Sequence, residues 1–515
     1  MVAGQSPEPE QEPAGTAEPG NLADHVRASA VRRGDALALV HRSAAGRFTR
    51  TWAEFDADVD AAAAGLRTEL SLHPGDRVAL ALSNTPAFAT AYFGILRAGL
   101  VALPLNTGYT SREMARLLGD AGAKAVLCED ATQSAVDEAV AGTHRAVVDP
   151  AGLDAVVASG RRAGPQEPRA RGEDLALLLY TSGTSGRPKG AMLSHRALRA
   201  NLRQCAALEP APMRAEDVVL LVLPLFHVYG LGAGLGMVAG TGATALLADR
   251  FDPTETLELV RAEQVTNIPG APAIYAAWSD ASLSRGGDLA ASLSSVRLLA
   301  SGAAPLPAPV LDQVRAQTGL VINEGYGLTE TAPVVSSTLA SGRAKPGSVG
   351  RPVPGVEVRL LDELGGPVAD GDPGEIWVRG DNLFSGYWPD GSDGPDEQGW
   401  FGTGDVAYAD DDGDLFLVDR RKELVIVNGF NVYPREVEDA IAEHPDVGEA
   451  AVIGVPDPKT GEGVKAYVVA RDGATLRPED VTAHCAERLA RFKRPTTVTI
   501  VDELPHSATG KVAKG

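Results

Sequence analysis

The chain is 515 residues long and 44% hydrophobic, which is enough for a large core and for more than one domain. Its formal net charge of −21 disfavours binding to nucleic acid or to an anionic membrane through bulk charge, because their phosphates would be repelled. We therefore expect no nucleic-acid partner and at most peripheral membrane contact. Three widely spaced cysteines argue against a disulfide framework or a zinc site and favour a reducing compartment such as the cytoplasm.

Two segments bear on targeting. The first 20 residues contain no lysine or arginine and no apolar run, and their proline, glutamate and glycine content predicts a disordered tail rather than a signal or transit peptide. The segment from Val218 to Ala248 has no formally charged residue and is long enough for a membrane span. It also contains Pro224, His227 and six glycines, which favours a buried strand, loop and helix instead.

Apolar strands alternate with helical patterns after the tail. A helix is predicted over residues 51–70, where Thr51 and Glu54 have the spacing of a capping box. Helices are also predicted at 86–99 and 111–122, and strands at 77–83, 100–106, 124–130, 175–180, 265–270, 296–302 and 319–327. This alternation predicts an α/β fold with doubly wound, mostly parallel sheets, whose ligands bind beyond the carboxyl ends of the strands.

The pattern changes in the last third of the chain. Shorter β segments punctuated by turns, at 365–380 and 412–419, predict a β-rich subdomain. After Arg420 the helical and strand patterns become those of a small α+β unit. The sequence therefore predicts a tail over residues 1–20, a large N-terminal domain over 21–419 and a C-terminal domain over 420–515.

A loop rich in glycines, hydroxyls and cations follows the strand predicted at 175–180. Glycines let the backbone approach a ligand with its N–H groups, hydroxyls add donors and a lysine adds charge, so the loop suits a polyphosphate. It lacks the Gly-Lys-Ser/Thr run of the usual P-loop, and its composition alone fits a solvated loop equally well. The candidate phosphate ligands are Thr181, Ser182, Gly183, Thr184, Ser185, Gly186 and Lys189.

Seven motifs in order carry a resemblance to the adenylate-forming enzymes: acyl-CoA synthetases, firefly-type luciferases and peptide-synthetase adenylation domains. YTSGTSGRPKG resembles their phosphate loop, and it is followed by LPLFHVYG, SGAAPLP, NEGYGLTET, GWFGTGDVAY, DRRKELVIVNGFNVYPREVE and PHSATGKV. The resemblance covers essentially the whole chain after the tail. It implies an N-terminal adenylation domain with a mobile C-terminal domain, and the use of ATP, Mg²⁺, a carboxylic acid and CoA.

The resemblance assigns the nucleotide site. Tyr326 is expected to stack on adenine, with the small residues Gly302, Ala303 and Ala304 on its other side. Thr329 is expected to donate to the α-phosphate, and Glu330 with Thr184 to bind Mg²⁺. Glu324, Gly325 and Gly327 belong to the same nucleotide motif.

The resemblance also assigns ribose, thiol and catalytic contacts. Asp405 is expected to accept both ribose hydroxyls and Arg420 to add a ribose contact. Lys422 matches the hinge, and Gly429 and Phe430 the wall of the pantetheine tunnel. His227 is expected near the reacting carboxylate, and Lys511 to stabilise charge during adenylation.

The acid is less closely specified. A member using malonate would be expected to present an arginine beside Tyr326, where this chain has Gly325. EGYGLTETAP looks most like medium- and long-chain fatty acyl-CoA ligases, although Leu231 stands near the place of the tryptophan that can gate long-chain members. An aryl acid such as a cinnamate is an alternative.

Two other readings concern the acceptor and the loss of catalysis. A fatty-acyl-AMP ligase would load a carrier protein, but the insertion that such enzymes often carry is not seen between Asp405 and Arg420. A nucleotide-binding protein without catalysis would be expected to lack Glu330, Asp405 or Lys511, and all three are present. The sequence does not predict an oligomeric state.

Overall fold

The structure is a computed structural model that describes residues 20–44, 46–181, 188–285, 287–420, 425–427, 430–457, 461–506 and 512–514. At positions 284, 285, 419, 420, 426, 430, 431 and 461 it describes the backbone only. Of the tail predicted over residues 1–20, residues 1–19 therefore lie outside the described residues.

The first part of the chain alternates helices and strands as predicted. Its elements are α1 (Asp24–Arg33), β1 (Leu37–Ser43), β2 (Gly46–Thr51), α2 (Trp52–Glu69), β3 (Arg77–Ala81), α3 (Pro86–Arg97), β4 (Val101–Pro104), α4 (Ser111–Asp120), β5 (Ala125–Cys128), α5 (Asp130–Val140), β6 (Ala146–Val148), α6 (Pro150–Gly160), β7 (Leu175–Thr181), β8 (Lys189–Ser194) and α7 (His195–Ala206). Strands β3 to β8 form a sheet in the order β6-β5-β3-β4-β7-β8, parallel except for the antiparallel β7–β8 pair.

The second part adds a longer sheet. Its elements are β9 (Val218–Leu221), a π-helix (Tyr229–Gly236), α8 (Met237–Thr241), β10 (Thr244–Leu247), α9 (Pro253–Ala262), β11 (Asn267–Gly270), α10 (Pro272–Arg285), α11 (Leu289–Ser292), β12 (Leu298–Ser301), α12 (Ala308–Thr318), β13 (Ile322–Gly327), a 3₁₀ turn (Thr329–Thr331), β14 (Val334–Ser337), β15 (Ser348–Pro352), β16 (Val356–Leu361), β17 (Gly374–Gly380), β18 (Trp400–Ala409) and β19 (Leu415–Arg420).

This longer sheet has a parallel half and an antiparallel half. Within the described residues its order is β16-β17-β18-β19-β15-β14-β13-β12-β11-β9-β10-β1-β2. The run from β13 to β1 is parallel, and the strands from β14 to β19 pair antiparallel and form the β-rich subdomain. One hydrophobic core joins strands of both sheets to α2 and α3.

The last part is a smaller α+β unit with its own core. It contains β20 (Val425–Val427), β21 (Phe430–Val432), α13 (Pro434–Ala442), β22 (Val447–Asp457), β23 (Gly461–Ala470), α14 (Pro478–Arg488) and β24 (Thr497–Val501). Its described strands run in the order β21-β20-β23-β22, with β24 also paired to β23. The predicted α/β class, with a large N-terminal and a small C-terminal domain, is confirmed.

Local sequence signals explain two of these elements. The capping box at the start of α2 is confirmed, because Thr51 Oγ1 accepts the Glu54 N–H at 3.3 Å and Glu54 Oε2 accepts the Thr51 N–H at 2.9 Å. The uncharged segment from Val218 folds as the predicted buried strand, loop and helix, and then adds β10. Among the described residues, no helix has both the length and the apolar character that a membrane span needs.

Helices α2 and α6 pack closely enough to require glycine. A Cβ on Gly65 of α2 would lie 2.0 Å from the Val156 carbonyl oxygen of α6. We expect Gly65→Ala to force the helices apart and to lower the free energy of unfolding by about 1–3 kcal/mol. The midpoint of thermal unfolding measures this.

Gly119→Ala is the matched control. Gly119 is also helical, in α4, but a Cβ there would meet nothing within 4 Å. This variant should be more stable than the parent by about 0.5–1 kcal/mol, because alanine has the higher helix propensity. Equal effects of the two substitutions would show that the α2–α6 packing does not require glycine.

Candidate active site

A cavity of about 1310 Å³ opens beyond the carboxyl ends of β7, β12 and β13. Thr181, Ser301 and Gly327, the last residues of these strands, all line it. This is the position that the parallel-strand rule predicts for a ligand crevice.

A buried hydrogen bond joins two of the predicted nucleotide residues. Tyr326 on β13 donates through its hydroxyl to Asp405 Oδ2 on β18, at 2.7 Å. Each residue is 8% exposed, and both line the cavity. The backbone N–H of Asp405 donates to Thr403 Oγ1 at 3.1 Å, so both the side chain and the backbone of Asp405 are held by hydrogen bonds.

Small residues bring the backbone close to this pair. Gly302 lies beside the Tyr229 ring, where a Cβ would be 3.1 Å from the nearest ring carbon. A Cβ on Gly327 would lie 2.0 Å from the Pro333 carbonyl oxygen, so only glycine fits there. Ala303 has φ +68°, in the left-handed region. Gly302, Ala303, Gly325 and Gly327 line the cavity, whereas Ala304 does not.

The described residues among those predicted for phosphate and Mg²⁺ lie at the same cavity. Thr329 and Glu330 lie on the 3₁₀ turn that follows β13. Glu330 Oε1 accepts a hydrogen bond from the Tyr387 hydroxyl at 2.6 Å. A carboxylate oriented by a neutral donor on one oxygen fits a Mg²⁺ ligand.

Lys189 borders the cavity at the first residue of β8. Its backbone pairs with Thr181 across the glycine-rich loop. Its Nζ lies 2.7 Å from Asp393 Oδ2 and 4.8 Å from the centre of the Tyr387 ring. Both charged side chains are substantially exposed, at 41% and 67%, so this ion pair is weak and Lys189 can exchange it for another anion.

His227 presents a neutral imidazole. Desolvation by the surrounding protein lowers the pKa of His227 to about 4. Its Nδ1 lies 3.2 Å from the Tyr229 N–H and accepts from it, which leaves the ring proton on Nε2. His227 can therefore donate a hydrogen bond at neutral pH without carrying charge.

Glu324 is fixed outside the cavity lining. Its Oε1 accepts the N–H of Leu306 at 3.0 Å and it is 6% exposed. Burial raises the pKa of Glu324 to about 7, against the opposing effects of the Leu306 N–H and the Arg435 guanidinium. Arg435 belongs to α13, so a charge of the small domain acts on a carboxyl group of the large one.

The cavity continues into an apolar region. Leu231 is not part of its wall but is buried in the core, at 2% exposure. The apolar lining comprises Cys205, Leu208, Pro212, Met213, Phe226, Val228, Ala233, Met237, Leu298, Val334 and Leu339.

Several predicted residues lie outside the described residues: Ser182, Gly183, Thr184, Ser185, Gly186, Lys422, Gly429 and Lys511. Arg420 and Phe430 are described by their backbones alone, and the Arg420 backbone pairs with that of Asp405. His506 lines the cavity and its Nε2 lies 2.6 Å from Glu449 Oε1. His506, the last described residue before Lys511, thus reaches the cavity.

Sequence reasoning missed Tyr387, Asp393 and His506. Tyr387 and Asp393 belong to SGYWPDGSD, where an aromatic pair beside glycine was the available signal. His506 stands within PHSATGKV, but only the lysine of that motif was assigned a role.

One acidic cluster lies apart from this site. Among the described residues, Asp410, Asp412 and Asp414 could together hold a metal ion. Lys345 Nζ, however, lies 2.6, 2.8 and 2.5 Å from their respective carboxylates. Arg343 also pairs with Asp412 at 2.7 Å and Arg351 with Asp414 at 3.5 Å, so the chain's own cations already occupy this cluster.

The fold and the site define an adenylate-forming enzyme, and comparison with known proteins specifies the family. The family model for the AMP-binding enzyme matches residues 26–388, and that for the AMP-binding enzyme C-terminal domain matches 436–511. This chain belongs to the AMP-binding enzyme family and, within it, to the adenylate-forming acyl-CoA ligases.

Individual relatives resemble the chain over most of its length. It is 36% identical to a long-chain-fatty-acid–CoA ligase of Yersinia pestis, over 88% of this chain and 86% of that protein. It is 38% identical to a feruloyl-CoA synthase of an Amycolatopsis species, over 90% of this chain and 92% of that protein. The crystal structure of ATP-bound MatB from Rhodopseudomonas palustris superposes on this chain with a TM-score of 0.86. The two are 34% identical, and the match covers 96% of this chain and 97% of the MatB chain.

The raised pKa of Glu324 predicts a pH-dependent stability. The folded carboxyl group has a pKa of about 7 against an ordinary value of 4.5, so the folded state binds the proton more tightly. Its stabilising contribution is complete below pH 4.5 and is lost as the pH rises through 7, a loss of about 3 kcal/mol. Glu324→Gln keeps an oxygen that can accept the Leu306 N–H and removes the titrating carboxyl group. The midpoint of thermal unfolding of the variant minus that of the parent should therefore be larger at pH 8 than at pH 5.

Glu113→Gln controls for the substitution itself. The hydrogen bond from Thr110 lowers the pKa of Glu113, so this variant should instead lose stability at pH 8. A midpoint difference between Glu324→Gln and the parent that does not change with pH would contradict the raised pKa. Glu324→Gln also tests the predicted nucleotide role of Glu324, because loss of a direct contact with ATP would raise the KM for ATP.

Proposed function

We propose that this enzyme activates a medium- or long-chain fatty acid with ATP to acyl-AMP and pyrophosphate, and then transfers the acyl group to the thiol of CoA with release of AMP. The observation that carries the proposal is that one cavity is lined by two kinds of side chain. Tyr326, Asp405 and Glu330 line it, and so do several leucines, methionines and valines. A pocket of this size and lining suits a nucleotide joined to an alkyl chain.

The nucleotide end supports ATP binding. The ring of Tyr326 and the small residues Gly302 and Ala303 leave room for a flat purine. Asp405, oriented by the Tyr326 hydroxyl, can accept from both ribose hydroxyls. Thr329 and the backbone of the loop after Thr181 supply donors for the phosphates.

Glu330 would hold Mg²⁺, with Thr184 as the proposed second protein ligand. When bound, Mg²⁺ neutralises charge on the phosphate oxygens. Lys189 adds a positive charge at the same edge, and Lys511 is proposed to add another during the first half-reaction.

His227 is proposed to assist both half-reactions without changing its charge. In the first half-reaction the carboxylate oxygen of the acid attacks the α-phosphorus and pyrophosphate leaves. In the second, the CoA thiolate attacks the acyl carbon and AMP leaves. The neutral Nε2–H of His227 can donate to the carboxylate or the acyl-adenylate in either step.

The boundary between the two domains is proposed at residues 419–420. Strand β19, which ends at Arg420, belongs to the longer sheet, and β20, which begins at Val425, belongs to the small one. Rotation about Lys422, carrying Gly429 and Phe430 toward the thiol channel, is part of the same proposal, as is a cytoplasmic location.

An aryl acid is the second candidate substrate. The 38% identity to a feruloyl-CoA synthase favours it, because this is no lower than the identity to the long-chain ligase. The apolar lining, which includes Phe226, is also compatible with a ring.

A panel of acids separates these functions. Octanoate, palmitate, ferulate, benzoate and malonate are each assayed for AMP formation, with and without CoA. Fatty acids should give the highest kcat/KM, and AMP should accumulate only when CoA is present. Preference for ferulate would establish the aryl alternative. A fatty-acyl-AMP ligase would instead form acyl-AMP that reacts with a carrier protein and does not react with CoA.

Gly325 tests the position of the acyl chain. A Cβ at this residue meets only the Ser336 carbonyl oxygen, at 3.0 Å, and the residue lines the cavity. Gly325→Arg should abolish activation of the preferred fatty acid while the Kd of ATP stays near the parent value, because the side chain fills the acyl space. Gly325→Ala, which adds little volume, should retain most activity, and Gly119→Arg controls for added charge. Full turnover by Gly325→Arg would place the acyl chain elsewhere.

Lys511 tests the alternation of the small domain. Lys511→Ala should reduce ATP–pyrophosphate exchange by roughly 10²–10³-fold, because a cation is lost from the transition state. With pre-formed acyl-adenylate and CoA it should make acyl-CoA at close to the parent rate. Lys465→Ala, on β23, is the matched control and should leave both rates unchanged. An equal loss in both half-reactions would assign Lys511 a structural role.

A further inference from the structure

Tyr387 contacts two charged side chains that line the cavity, Glu330 and Lys189. Its hydroxyl donates to Glu330 Oε1 at 2.6 Å, and its ring lies beneath Lys189 Nζ at 4.8 Å. We propose that Tyr387 is a positioning residue that fixes the Glu330 carboxylate for the metal ion and holds Lys189 at a set distance from it. The proposal rests on the metal-binding role proposed for Glu330.

The backbone around Tyr387 is tied to the strand that begins at Lys189. The Trp388 N–H donates to the Gly190 carbonyl at 2.8 Å, and the Ser385 N–H donates to the Met192 carbonyl at 2.8 Å. Residue 387 also forms an antiparallel bridge with Ala191. The segment therefore extends the sheet edge at β8, and the tyrosine moves with the strand that closes the glycine-rich loop.

The same segment holds the turn that carries Glu330. The Phe384 N–H donates to the Glu330 carbonyl at 2.9 Å, and the Phe384 ring packs edge-on against the Tyr387 ring at 5.0 Å. Glu330 is thus held through both its backbone and its side chain by residues 384–387. Among the described residues no donor contacts Glu330 Oε2, so the tyrosine occupies one carboxylate oxygen and leaves the other for a ligand.

The hydrogen bond from the Tyr387 hydroxyl to Oε1 selects one orientation of the Glu330 carboxylate. A partner of this kind to a metal ligand changes metal affinity by roughly 10–100-fold when it is lost.

Tyr387→Phe tests the hydroxyl and keeps the ring. The dissociation constant of Mn²⁺ from the complex of enzyme and a non-hydrolysable ATP analogue, measured by electron paramagnetic resonance, should rise by roughly tenfold or more. The thermal midpoint should stay near that of the parent. The control is Tyr408→Phe, whose ring stacks on Phe416 in β18–β19 away from the cavity and which should leave the Mn²⁺ affinity unchanged. An unchanged Mn²⁺ affinity in a folded Tyr387→Phe enzyme would overturn the proposal.

A double-mutant cycle shows whether the effect passes through Glu330. In a Glu330→Gln background, Tyr387→Phe should no longer weaken Mn²⁺ binding, because the carboxylate that it positions is gone. Additive effects of the two substitutions would overturn the proposal. The cycle is independent of the acid, so failure of every acid in the panel would reject the proposed function without deciding the role of Tyr387.

The ring is tested separately. Without divalent metal, the Kd of the ATP analogue should be about two- to fivefold higher for Tyr387→Leu than for Tyr387→Phe, because leucine removes the surface beneath Lys189. In a Lys189→Met background the two variants should bind equally. A difference that persists without Lys189 would show that the ring does not act through the lysine.

Discussion

Electrostatic repulsion is the constraint that shapes this site. The chain has a net charge of −21, yet the proposed substrate is a polyphosphate, and the residues that must approach it include three carboxylates. Each of these carboxylates accepts a hydrogen bond from a neighbouring side chain or pairs with one. Asp405 accepts from Tyr326, Glu330 accepts from Tyr387, and Asp393 pairs with Lys189. Neutral phenol donors therefore orient the first two carboxylates as acceptors.

The same constraint accounts for the titration behaviour of the neighbouring residues. His227 is kept neutral by desolvation, so it can donate in the apolar part of the cavity at no cost in buried charge. Glu324, one residue from Gly325, is held out of the cavity by the Leu306 N–H, and burial favours its protonated form. The acidic groups nearest the proposed phosphates are thus hydrogen-bonded, paired or directed elsewhere.

Much of the architecture follows from local sequence patterns. The alternation of apolar strands and amphipathic helices predicted the parallel sheets, and their carboxyl ends predicted the crevice, because these signals depend on neighbouring residues. The position of Glu324 outside the cavity is a different case: Asn323, Gly325 and Tyr326 all line the cavity, so neither the motif nor strand alternation predicts it. Tyr387 could not be found this way, since its partner Glu330 is 57 residues distant and its bridge to β8 spans nearly 200.

The proximity of Arg435 to Glu324 links proton binding to the arrangement of the domains. Arg435 also donates to the Leu417 carbonyl at 3.3 Å, so in this arrangement its charge favours the ionised form of Glu324. The rotation proposed about Lys422 would move the Arg435 guanidinium away from Glu324 and remove one of the two effects that lower its pKa. Proton binding at Glu324 and the position of the small domain would then influence each other reciprocally.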